Sequence, residues 1–353
     1  MRLPRRRAFA AAALVGGLSL AVPLRAQDTL PERPREVARL FRDQAPLALV
    51  LRADFDQVFK DRDTLTEVWM PATVRWQEGD SARTLEVELT TRGHFRLQSG
   101  TCNFAPLRVR FPKEGRKGTV WAGQGKLKLV THCHNSRKEH EQYVLLEHAT
   151  YRLFNTITDS SFRARLAKMT YEFTGKSPKS LEKWGFFVED DEDVAGRLGG
   201  VLDKGKGMRG EDLAPGMTDL VSVFEFMIGN TDWSFPYLHN IRLVSRRQDV
   251  LPLPYDFDWS GFVDAYYAKP DPRLGLRSNR ERLYRGVCRP IAELQPALAR
   301  FTARRDALLE VVRTQPDLEP GRRKDAEKYL VEFLDIAANP KASRDWFELR
   351  CRR

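Results

Sequence analysis

The period of the apolar residues changes near Cys133, and this change constrains the fold more than any other feature of the chain. Up to that point apolar residues alternate with polar ones. Stretches 47–51, 68–76, 85–89, 107–111 and 126–130 read as strands of an antiparallel β region punctuated by Gly and Pro. Between positions 138 and 157, Tyr143, Leu146, Ala149, Leu153 and Phe154 fall near one helical face. Strands follow at 164–173 and 184–188. The acidic run 189–193 then opens a helix, since carboxylates suit a helix N-terminus. Residues 196–216 read as a glycine-rich connection, and Thr218-Asp219 as the cap of a helix ending at Ile228. Two more strands, 241–244 and 250–253, precede a helical remainder from Ile291, with Leu294, Leu298, Phe301, Leu308 and Val312 at helix-like spacings. Residues 27–44 read as a linker and short helix. The order predicts an α+β protein with a small β-rich lobe on a helical lobe.

The first 26 residues carry five arginines and no acid. Arg5, Arg6 and Arg7 precede an apolar run, 8–22, of secretory length and short of a bilayer span. Leu24-Arg25-Ala26 before Gln27 reads as a cleavage site, and Arg6-Arg7-Ala8-Phe9 fits part of a twin-arginine signal; a retained membrane anchor is the alternative. The expectation is an exported protein, periplasmic or extracellular, without its first 26 residues. Losing those five arginines takes the formal charge from +11 to +6. That is too diffuse, and without a basic stripe, to argue for a nucleic-acid partner. The remaining chain exceeds one hydrophobic core and suits two lobes, 27–189 and 190–353.

Four cysteines in an exported chain favour disulfides. Cys102 and Cys133 flank two neighbouring strand candidates and are expected to pair, leaving Cys288 with Cys351. Zinc is the alternative, with His132 and His134 beside Cys133, but there is no C-x-x-C spacing.

The densest polar cluster reads Gly229-Asn230-Thr231-Asp232-Trp233-Ser234, then His239-Asn240-Ile241-Arg242, then Tyr255-Asp256-Phe257-Asp258. Phosphoryl transfer needs a carboxylate to orient or deprotonate the acceptor hydroxyl, and oxygen ligands for magnesium on the phosphates. A loop Asp, an Asn at a strand start and an Asp at the next strand's end supply that set, in protein-kinase order. Taken alone, Gly-Asn-Thr-Asp shapes a turn, and Asp256 and Asp258 read as surface acids. His132, His134 and His239 read as structural or solvent-facing.

These motifs resemble those of the CotH family of spore-coat kinases and, more distantly, HipA-type kinases. Residues 228–232 with His239-Asn240 look like their catalytic loop, and 255–258 like their metal-binding segment. Lys126-Leu127-Lys128-Leu129 is similar to the strand carrying the phosphate-contacting lysine, and 145–154 to the helix whose Glu pairs with it. Residues 184–189 resemble the strand leading to the hinge, and Arg92-Gly93 stands where the family has an Arg-Gly turn. Departures are an eight-position step from Asp232 to Asn240 and the lack of His-Arg-Asp and G-x-G-x-x-G.

The resemblance implies a two-lobed protein-kinase-like fold with ATP and magnesium in the interlobe cleft. In that reading Asp232 is the base, Asn240 and Asp256 are metal ligands, and Asp258 is a second-metal or supporting acid. Lys128 holds the phosphates and Glu147 orients it. Lys126 lies on the same strand face, Glu189 stands at the hinge, and Arg92 contacts the cofactor. The acceptor is a Ser/Thr-bearing protein or another hydroxyl compound. The rivals are an inactive kinase-like module that binds an envelope partner, since ATP is scarce outside the cytoplasm, and a metal-dependent hydrolase using Asp256 and Asp258.

Overall fold

Alternation along β1 (Leu47–Ala53) buries Leu49, Leu51 and Ala53 on one face, the pattern of a half-buried strand. The computed structural model describes residues 34–351 apart from 61, 63–65, 99 and 177; the leader read at 1–26 lies outside them. After a single-turn helix, α1 (Phe55–Val58), strands β2 (Met70–Glu78), β3 (Ser81–Thr91), β4 (Leu107–Arg110) and β5 (Lys126–Val130) continue an antiparallel meander. The chain leaves the sheet as α2 (Glu139–Ile157) and returns as β6 (Ala164–Phe173) and β7 (Lys179–Val188). β7 pairs with β5, β6 pairs with β7, and β6 lies parallel to β1 from Leu47↔Ala167 to Ala53↔Phe173.

That parallel seam closes the sheet into a seven-stranded barrel, in the order β1-β2-β3-β4-β5-β7-β6. The closure overturns the two-lobed protein-kinase-like arrangement expected from the motifs; the class remains α+β. The physical reason lies in β6, which is buried along most of its length. A buried strand must satisfy its backbone on both edges, and β7 supplies one edge while β1 supplies the other. Leu51, Val74, Val87, Leu89, Trp121, Leu129, Met169, Tyr171 and Phe187 fill the interior.

Beyond β7, Asp190 caps α3 (Asp191–Arg197), its side chain accepting from Glu192 N–H at 3.0 Å. β8 (Val201–Asp203) follows within the stretch read as a glycine-rich connection. α4 (Pro215–Ile228) starts at Pro215, whose fixed φ suits a first helical position, so Thr218 and Asp219 lie inside the helix rather than capping it. β9 (Ile241–Ser245) and β10 (Val250–Pro254) join β8 in a small antiparallel sheet. Then come α5 (Ile291–Thr302), α6 (Arg305–Arg313), α7 (Pro320–Ala338) and α8 (Pro340–Arg344). At the start of the described chain, the helix read within 27–44 is a short 3₁₀ turn, Arg39–Phe41. A second core packs Phe154 of α2 on Phe224 of α4 (centroids 4.4 Å apart), with Phe257, Leu330 and Phe333 nearby. α2 thus lies between the barrel and the helical part.

Cys102–Cys133 and Cys288–Cys351 are disulfides, with Cα separations of 4.7 and 5.7 Å, as the strand positions suggested; no thiol remains for zinc. Loop closure at these separations in sequence is worth roughly 4 kcal/mol each in the chain-entropy picture. Among the described residues, no helix is long and apolar enough to cross a membrane.

Candidate functional site

α4 ends at Gly229, which takes left-handed φ of 64° and turns the chain out of the helix. A Cβ there would stand 2.1 Å from the Tyr329 hydroxyl oxygen. Gly229→Ala is therefore expected to cost at least ~2 kcal/mol, from backbone strain and clash together. Gly216→Ala, in α4 with open space around it, should be neutral or slightly stabilising. Chemical denaturation of both variants checks the contrast; equal stabilities would refute it.

The turn continues as Asn230 Oδ1 accepts from Asp232 N–H at 2.9 Å. A bridge between Ser234 and His239 folds the loop back on itself. His239 Nε2 then lies 2.8 Å from Asp232 Oδ1, and Asn240 Nδ2 donates to Asp232 O at 2.7 Å and to Oδ2 at 3.1 Å. With its amide nitrogen committed to Asp232, Asn240 keeps Oδ1 for other ligands. Tyr255 N–H donates to Asn240 O at 3.0 Å, bringing the end of β10 alongside. Asp256 N–H donates to the Tyr151 hydroxyl of α2 at 3.0 Å. Leu238, Asn240 and Asp256 all have positive φ, near 52°, 51° and 64°. Such a cluster of non-glycine residues in the left-handed region is a feature of functional sites.

The barrel forms the facing wall. Arg108 of β4 and Lys128 of β5 are register partners, and Arg92 leaves the end of β3. Lys128 Nζ donates to Asp191 Oδ1 at 2.7 Å, and Arg242 Nε to Asp191 Oδ2 at 2.8 Å. Between the walls lies a cleft of about 610 Å³, and six of the nine sequence-nominated residues line it: Arg92, Lys128, Asp232, Asn240, Asp256 and Asp258.

The other three lie elsewhere. Lys126 is exposed at the start of β5, 3.9 Å from Glu67. Glu189 is buried, and Arg197 grips its two carboxylate oxygens at 2.9 Å each, so that carboxylate is spent on structure. Glu147 is 2 % exposed, and its Oε1 lacks a hydrogen-bond partner. Burial, then Asp258 and Asp256, push its pKa well above the usual carboxylate range. The expected Lys128–Glu147 pair does not form, because the ammonium turns to Asp191 instead.

Asp258 points inward and accepts from the Tyr267 hydroxyl at 2.8 Å. Burial, then the Asp256 charge, raise its pKa to about 6, with the Arg96 guanidinium opposing. Sequence reasoning missed Arg96, Asp191, Arg242 and the contact between His239 and Asp232. Arg242 stood two positions after Asn240 in the polar cluster, but Asn240 precedes β9 with left-handed φ, so strand alternation does not single Arg242 out. Nothing local distinguished Asp191 within its acidic run.

The donor set fits magnesium. Asp256, Asp258 and Asn240 offer only oxygen, which suits hard cations. Among the described residues no group of three or more His, Cys, Asp or Glu is arranged to hold a metal alone. No protein-family profile matches the chain, and no curated protein matches it.

Proposed function

We propose that this protein is an exported phosphotransferase, which binds ATP with magnesium in the cleft and passes the terminal phosphoryl group to the hydroxyl of a Ser/Thr-bearing protein or another hydroxyl compound. The observation that carries the reading is the convergence on one cleft of a cationic barrel wall and an Asp232–Asn240–Asp256–Asp258 set. The CotH-like order of those motifs supports the same chemistry on a barrel scaffold. The two disulfides and the leader-like N-terminal sequence support export.

Asn240, Asp256 and Asp258 would hold the magnesium, which supplies charge neutralisation across the phosphates. Arg92 and Lys128 counter negative charge from the barrel side. Asp232, fixed by His239 and Asn240, takes the proton of the acceptor hydroxyl as its oxygen forms the new bond to phosphorus; the bond to the bridging oxygen breaks and ADP leaves. Positioning of this kind dominates phosphoryl transfer, and the strained loop turns serve it.

Calorimetry of ATP binding to the oxidised protein, with and without magnesium, paired with transfer of labelled phosphate to Ser/Thr-rich acceptors, tests the reading. Magnesium-dependent binding and transfer are expected. No magnesium-dependent nucleotide binding would defeat it and favour a module that only docks an envelope partner.

A further inference from the structure

Among the described residues, Asp191 is the one acid joined to two of the cleft's cations, and they come from different parts of the chain: Lys128 from β5 and Arg242 from β9. Both cations also lie over the ring of Tyr255, at 4.9 and 4.4 Å from its centroid. Two like charges so close repel each other unless a carboxylate lies between them. Asp191 uses one oxygen for each, so the trio keeps a net charge of +1; Arg242 also hydrogen-bonds the Tyr255 side chain, and the five N–H groups of a guanidinium outnumber these contacts. Asp191 is itself immobilised. Asp190 caps the helix that Asp191 begins, and the buried Glu189–Arg197 pair anchors the chain two residues earlier.

We infer that Lys128 and Arg242 form a two-cation clamp for a polyphosphate, and that Asp191 is the residue that positions it, in the place the sequence assigned to Glu147. The ligand class is a tri- or diphosphate chain: a point-charge ammonium and a planar fork, side by side, suit successive phosphoryl groups better than one carboxylate or a single phosphate. The inference rests on the phosphate-binding reading of the cleft and extends it to two residues, Asp191 and Arg242, outside that mechanism.

Isothermal titration with inorganic tripolyphosphate and, separately, magnesium-ATP tests it on the oxidised full chain, wild type against Asp191→Asn, Arg242→Met and the double variant. Removing a partner that orients a binding group typically costs ~10–100-fold, so each single variant should bind both probes at least about ten-fold more weakly. The double variant should be little worse than either single, because the two act as one unit. Thermal melts identify any variant that fails to fold; Arg242→Met alone then decides, since unchanged affinity there overturns the clamp. Equal or tighter binding by Asp191→Asn overturns the positioning role and makes the carboxylate a latch that phosphate must displace. Wild-type binding of tripolyphosphate without ATP leaves the clamp standing and defeats the nucleotide reading. Binding of neither probe defeats both.

Discussion

Asp256→Asn should abolish magnesium-dependent nucleotide binding together with turnover, whereas Asp232→Asn should leave nucleotide binding nearly intact and slow transfer by ~10²–10⁴-fold, or roughly 3–5 kcal/mol of barrier. The difference follows from what each carboxylate faces. Asp256 stands beside Asn240 and the inward-turned Asp258, where an all-oxygen donor set calls for a cation. Asp232 has its oxygens on His239 and Asn240 and lies at the loop end of the cleft. Both substitutions are nearly isosteric, and Asn at 232 can still bond His239, so folding should survive and melting temperatures should confirm it. Calorimetry and a phosphotransfer assay on both variants separate the outcomes. Equal loss of nucleotide binding would mean that the roles are misassigned.

The second large effect concerns Glu225, buried in α4 beneath the loop that carries Asp232. Burial raises its pKa from 4.5 to about 8, with the neighbouring Asn230 amide opposing. The unfolded chain ionises this group above about pH 4.5, while the folded chain keeps the proton until about pH 8. Stability from this site is therefore complete below pH 4.5 and lost as pH climbs through that window. At ~1.4 kcal/mol per unit the loss approaches roughly 5 kcal/mol. Glu225→Gln presents the same shape as the protonated acid and removes the titration. Its stability relative to wild type should rise steadily from pH 5 to pH 8 and favour the variant at pH 9. Denaturation curves across that range measure it, and a constant difference between the two proteins would contradict the buried, protonated state.

Much of the local structure was legible in the sequence because it rests on local rules. Period-two alternation marked all five strands of the first meander, and the strand read at 164–173 has the bounds observed. The cluster from Asp232 to Asp258 stood out because loop and strand-end polar residues recur there at short intervals, and the structure brings those residues to one cleft. What stayed hidden depends on distant partners. Nothing in residues 47–53 says that their second edge is taken by residues 167–173, so a closed barrel and an open lobe read alike. Glu189 and Asp191 sit two positions apart in one acidic run. Which of them meets the lysine depends on how the chain turns after β7. Glu147 lies on an inward face of its helix, yet the facing strand sends Lys128 elsewhere. The left-handed turn at Leu238 is invisible to pattern reading, whereas Asn240 and Asp256 are residue types that tolerate that region.

The parallel seam also sets the order in which this chain can fold. β1 finds its last partner about 120 residues further on, after α2 has formed and β6 has been made. Until then the five-strand meander has two bare edges, which are templates for pairing with other chains. Contacts so distant in sequence are slow to form. For a chain that emerges N-terminus first, the interval between emergence of β5 and arrival of β6 is the time of greatest aggregation risk. A chaperone that shields an exposed strand edge should speed recovery of native protein most when it is present during that interval.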